Sequence, residues 1–228
     1  INIIYVCSNQ DLAKQNLRRL NVTGEQETEV ATRLSMLVQN SALVDSGRSS
    51  SAVNLLSLTP GTSFERGHRQ GKAEERAILA CLLERLESLD DQLRRAGRDV
   101  LQGMVRRHEA FGRLIDDVAQ KPFDSAIVAR FERDIRASGA LDRFRELRRE
   151  YAVDPRGDDQ RWHRTQESIA ELRRTLARAG ASLLKPHLVI LDEFQRFRDL
   201  LDPDSGEAGE LAQALFVEEQ TKVLLLSA

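Results

Sequence analysis

Cysteine is nearly absent from the sequence. Cys7 and Cys81 are the only two, far apart and without metal-like spacing, which excludes a disulfide framework and argues for a reducing compartment. Cys7 lies in an apolar run and reads as a small core residue. The four histidines, at positions 68, 108, 163 and 187, are equally scattered, so no zinc site is expected. No apolar run is long enough to cross a bilayer and no signal peptide opens the chain. Charge of one sign is lacking too: 31% of residues are charged, yet the formal net charge is −2. No global field therefore attracts nucleic acid, and any polyanion must meet a local surface. The phosphate-loop pattern G-x-x-x-x-G-K-S/T is missing throughout.

What is present is a core of reasonable size, since 228 residues suffice for one or two domains. INIIYVCS at the start reads as a buried strand. DLAKQNLRRL follows as a helix with Leu12, Asn16 and Leu20 on one side. Residues 25 to 40 read as a second helix, carrying Val30, Leu34, Leu37 and Val38 at helical spacing. VNLLSL is another short strand, turned sharply by TPGT, where Pro60 fixes φ and Gly61 permits unusual angles. Strand texture returns only at HLVILDEF. A loop, a helix near 208 to 219 and the strand KVLLLSA complete the chain.

Between these parts, from about residue 67, Arg, Glu and Leu dominate. Leu79, Leu82, Leu86, Leu89, Leu93, Ala96 and Val100 alternate spacings of three and four, a heptad seam that predicts a helix–helix contact. Gly97 and Gly103 are the candidate breaks. Further helices are expected from Met104 through Phe111 to Val118, ending before Pro122, from Ser125 to Tyr151 with an interruption at Gly139, and from Trp162 to Gly180, with Trp162 in the core. This segment carries 24 Lys and Arg against 21 Asp and Glu. Arg94, Arg95, Arg98, Arg106 and Arg107 are its candidate phosphate contacts, against the plainer reading of a solvated helical surface. The predicted organisation is an α/β frame, 1–66 and 182–228, bracketing a helical insertion, 67–181. Near-continuous apolar strands joined through helices indicate a parallel sheet.

Four short stretches fall at predicted strand ends. SNQDLAKQ at 8–15 resembles the P-T-x-x-L-A-x-Q box of superfamily 2 helicases, with Leu12, Ala13 and Gln15 matching and Ser8 and Asn9 in place of Pro-Thr. TPGT at 59–62 is similar to the T-P-G-R box of DEAD-box helicases. DEFQ at 192–195 resembles the D-E-x-D/H box, and Ser227-Ala228 the start of the S-A-T box. Their order is the family order. The resemblance to the DEAD/DEAH-box-like helicases implies an α/β fold of the RecA-like P-loop NTPase kind, a parallel sheet with a large all-helical insertion. It implies ATP and Mg²⁺ as cofactors, with Asp192 holding the metal through water and Glu193 activating the water that attacks the γ-phosphate. It further implies that Ser8, Asn9, Gln10, Thr59, Gly61 and Thr62 grip one nucleic-acid strand, DNA rather than RNA, by its backbone. Gln195 and Ser227 would couple nucleotide state to that grip.

Three departures qualify the resemblance. Gln195 stands where Asp or His is usual, Thr62 replaces an Arg, and the phosphate loop is missing. That loop would precede Ile1, and a second RecA-like domain of the same chain would follow Ala228. The chain is thus expected to be a piece of a longer protein, binding ATP poorly and hydrolysing essentially none by itself. Other expected features are a protein partner on the helical insertion, no membrane, and the bacterial cytoplasm. The competing readings are a duplex DNA translocase subunit of a restriction or remodelling complex, and a non-catalytic helical scaffold with a vestigial ATPase frame.

Overall fold

The computed structural model describes residues 2–7, 15–16, 19, 27–30, 33–39, 54–58, 70–103, 108–197 and 221–227. The chain divides into two compact units, residues 1–67 with 177–228, and residues 68–176.

The first unit is built on five strands: β1 (Asn2–Val6), β2 (Glu27–Val30), β3 (Asn54–Leu58), β4 (Leu188–Asp192) and β5 (Lys222–Leu226). They lie in the order β2-β3-β1-β4-β5 and every pairing is parallel. β1 holds the centre because it is apolar on both faces. Ile4 and Val6 are buried on one side, as are Val189 and Leu191 of β4. Tyr5, Cys7 and Ile190 form a cluster on the other, with Ile3 and Leu188 packed against it. This alternation is the period-two geometry of a strand covered twice. The amino ends are pinned together by His187, whose Nδ1 accepts from Asn2 N (3.0 Å) and whose backbone N–H donates to Asn2 O (2.8 Å). Lys222 N donates in turn to His187 O. At the edge, Val223 to Leu226 of β5 are 39–46% exposed.

Residues Leu34–Gln39 form a 3₁₀ turn with Leu34, Leu37 and Val38 buried. A Cβ on Gly180 would stand 3.0 Å from Leu34 O and 3.4 Å from Leu37 Cβ. A glycine inside a helix costs about 1 kcal/mol relative to alanine, and here it admits that close approach.

The second unit is helical: α1 (Ala73–Arg85), α2 (Asp91–Gln102), α3 (His108–Ala119), α4 (Ser125–Ala137), α5 (Ala140–Val153) and the greater part of α6 (Asp159–Leu184). α1 is buried continuously from Glu75 to Leu83, as befits the helix that packs against both α2 and α3. Ile127, Phe131 and Ile135 of α4 fall four apart on one buried stripe, the spacing that keeps side chains on one helical face. Phe111, Phe131 and Phe144 are among the largest fully buried side chains. Asp124 caps α4 by accepting from Ala126 N and Ile127 N at 2.9 Å. Arg76, also buried, donates to the carbonyls of Leu101 and Gln102 at the end of α2, where a cation complements the helix dipole.

Several expectations are corrected. A RecA-like P-loop NTPase core with a large sheet is not shown. The described residues are mainly helix, in stretches of 12 to 26 residues, against strands of four or five. The apolar runs are too short to propagate longer strands, although the sheet is parallel as expected. The helix expected over 25–40 is instead β2 and the 3₁₀ turn. The heptad stretch breaks at residues 86–90 rather than at Gly97: α1 ends at Arg85, and Asp90 opens α2 by accepting from Leu93 N at 2.7 Å; Gly103, at φ 58°, ends α2 as expected. Trp162 is 40% exposed rather than core. The helix expected near 208–219 and the TPGT turn lie outside the described residues, as do Arg106 and Arg107.

Two predictions concern the helical unit. Glu75 is 2% exposed and accepts from Arg173 Nη2 (3.0 Å) and Lys72 N (2.8 Å). Glu75→Gln should lower unfolding free energy by about 3 kcal/mol, because a buried cation loses its counter-charge. Replacing both Glu75 and Arg173 with leucine should restore most of that in denaturant titrations. Glu87 accepts from Arg145 Nε (2.6 Å) and Arg148 Nη2 (2.7 Å). Burial pushes its carboxyl up, but the bonds and charges of Arg148 and Arg145 outweigh burial and hold it below the ordinary 4.5. A group depressed on folding stabilises above its unfolded pKa and loses that contribution as pH falls through the folded one. Thermal melts below pH 4.5 should therefore fall more steeply for the natural sequence than for Glu87→Gln.

Candidate functional site

Because all strand pairings are parallel, every carboxyl end lies along one rim. Register places Val6 level with Leu191 and with Leu58, so Cys7 stands level with Asp192. Asp192 itself is level with Leu226 of β5, and Ser227 follows beside the height of Glu193. The strand order adds a second feature. From β1 the chain goes next to β2 at one edge, whereas from β4 it goes to β5 at the other. Adjacent strands whose following connections diverge leave a crevice between their carboxyl ends, where open α/β sheets bind ligands. Asp192 sits at that crevice.

Asp192 is half-buried, and its Oδ2 accepts from the Tyr5 hydroxyl. The Asn16 amide donates to the Tyr5 oxygen (2.7 Å) and to Asp192 Oδ2 (3.4 Å). Tyr5 and Asp192 meet because Tyr5 pairs with Ile190, and Asp192, two residues on, returns to the same face. Burial, then the hydrogen bond to Asp192, push the Tyr5 phenol well above its ordinary range, with Asn16 pulling it partly back. The phenol stays a donor.

Glu193 follows in a left-handed conformation, φ 57°. For a residue with a Cβ this costs about 1–2 kcal/mol, and such strain gathers at functional turns. The turn aims the chain into the short 3₁₀ helix Phe194–Phe197, on which Gln195 is exposed; Ser227 is exposed as well.

Of the residues singled out in the sequence, Asp192, Glu193, Gln195 and Ser227 come to this rim. Ser8, Asn9, Gln10, Thr59, Gly61 and Thr62 lie outside the described residues. The described residues before them, Cys7 and Leu58, are at the same end of the sheet as Asp192. Tyr5 and Asn16 were missed as site residues. The available signal was a phenol inside an apolar strand, since a buried Tyr hydroxyl requires a partner.

Among the described residues no group of three or more His, Cys, Asp or Glu side chains gathers that would hold a metal alone. The donor set at the rim, Asp192 with Glu193 beside it, would fit a magnesium ion that retains water and takes one or two carboxylates together with phosphate oxygens. Neither hydrogen bond to Asp192 uses Oδ1, so one oxygen remains for such a role. Of the arginines read as phosphate contacts, Arg94, Arg95 and Arg98 are engaged inside the helical unit. Arg98 binds Glu84 through two bonds (2.7 and 3.0 Å), and Arg94 binds Asp91 at 2.8 Å. Among the described residues no helix is long and apolar enough to cross a membrane. No family model, no curated protein and no solved structure matches the chain.

The strain at Glu193 can be measured. Glu193→Gly and Glu193→Ala both remove the side chain, but only glycine adopts φ 57° without penalty. Glu193→Gly should be the more stable of the two by about 1 kcal/mol in chemical denaturation; equal stability would contradict the left-handed turn.

Proposed function

We propose that the chain forms part of an ATP-dependent nucleic-acid motor, a helicase or translocase, and that the rim holding Asp192 and Glu193 handles the nucleotide phosphates. One observation carries this reading: adjacent carboxylates end β4 at the crevice between strands whose connections diverge. The order of the four boxes along the sequence supports the same reading.

In this reading Asp192 would hold magnesium, and the ion, when bound, would supply charge neutralisation to the nucleotide phosphates. Glu193 orients a water in line with the γ-phosphorus and takes its proton as the new P–O bond forms. The bond to the β-phosphate oxygen breaks, and ADP and phosphate leave. The backbone of 8–10 and 59–62, following β1 and β3, would meet nucleic acid along the same rim, and Gln195 and Ser227 would pass nucleotide state to it. DNA is preferred to RNA, and the bacterial cytoplasm is the compartment this reading expects. Residues 1–228 contain no G-x-x-x-x-G-K-S/T segment, so none of these residues supplies that cradle for the β- and γ-phosphates.

The test uses the natural protein and nucleic-acid-stimulated ATP turnover. Glu193→Gln should lower kcat by at least about 10²-fold, in the range general-base removal costs, while leaving nucleotide affinity near its original value. Turnover unaffected by this substitution would reject the motor reading and favour a helical scaffold.

A further inference from the structure

Among the described residues, the carboxylate of Asp192 is gripped from one side only. Its Oδ2 receives the Tyr5 hydroxyl and the Asn16 amide, and neither bond touches Oδ1. The bonds form a directed chain. Asn16 donates to the Tyr5 oxygen, whose own proton goes to Asp192, and the second amide hydrogen of Asn16 reaches Oδ2 directly. Tyr5 is 3% exposed and packs with Cys7 and Ile190 in the middle of the sheet. Its ring cannot swing away without breaking that packing. An aspartate at a strand end otherwise has two soft side-chain torsions and would sample several orientations.

From this geometry we propose that Tyr5 is a positioning residue for Asp192: with Asn16 it holds one carboxylate oxygen so that the other faces the metal that accompanies the nucleotide. The inference rests on the nucleotide-site reading above and adds to it the side chains that orient the acid. Carboxylates that hold a metal are commonly fixed by such hydrogen bonds, and losing one costs about 10- to 100-fold in metal affinity.

Mn²⁺ serves as the probe, with ATPγS as the non-turnover nucleotide and the natural protein as host; free Mn²⁺ is followed by electron paramagnetic resonance. Tyr5→Phe keeps the ring and deletes only the hydroxyl. It should weaken Mn²⁺ binding to the ATPγS complex by about tenfold, with metal-free ATPγS affinity unchanged and turnover recovering at saturating metal. A merely structural role would not produce that split. Asn16→Ala, at a half-buried position, should weaken Mn²⁺ binding by a smaller factor and provides the test if Tyr5→Phe does not fold. Asp192→Asn separates the two layers. If it binds Mn²⁺ with ATPγS as tightly as the natural protein, the nucleotide-site reading and the positioning role both fall. If it loses binding while Tyr5→Phe and Asn16→Ala retain full affinity, only the positioning role is overturned.

Discussion

The parallel pairing of β1 with β4 is the constraint on which the functional rim depends. Ile3 to Val6 lie in register with Leu188 to Leu191, although the two strands are separated by most of the chain. That register alone brings Tyr5 within reach of Asp192, 187 residues away. It is held by apolar burial on both faces and by the His187 clamp at the amino end. Slipping one strand by a residue would turn Tyr5 to the opposite face from Asp192 and expose the cluster around Cys7. Packing and chemistry are thus fixed by the same alignment.

The helical unit obeys a different economy. Its charges are numerous but largely spoken for: Glu75 with Arg173, Glu87 with Arg145 and Arg148, Glu84 with Arg98, Glu150 with Arg164. The buried members specify how α1, α5 and α6 meet. The exposed ones contribute little to stability individually. A basic surplus in composition therefore does not translate into an unpaired cationic surface at Arg94 and Arg98, which weakens the view of this unit as a phosphate-binding arm.

The legible parts of the fold were those set by local pattern. β1, β3, β4 and β5 stood out as short apolar runs, and α6 and the break at Gly139 followed from helical periodicity and a left-handed glycine. β2 was hidden because Val30, Leu34, Leu37 and Val38 satisfy a helical spacing, although Val30 ends β2 and only the last three belong to the 3₁₀ turn, which buries them. The seam from Leu79 to Val100 kept its rhythm across residues 86–90, where the cap at Asp90 overrides it. The RecA-like fold was over-read from short boxes, because the described residues are mainly helix around strands of four or five residues. At the site, the acid pair was visible as an apolar run ending in Asp192 and Glu193. Its partners were not, because the Asn16–Tyr5–Asp192 chain exists only through long-range register, which periodicity does not carry. Nor does sequence pattern reveal the left-handed φ of Glu193.

The central claim is that the carboxyl rim of the sheet, at the β1–β4 crevice, receives a nucleotide. Hydrogen exchange on the natural protein, with and without ATPγS and Mg²⁺, tests it most directly. Nucleotide is predicted to slow exchange in peptides spanning the ends of β1, β4 and β5, above all residues 190–197, and to leave the His187 end unchanged. Protection confined to residues 70–176, or to the amino ends of the strands, would contradict it.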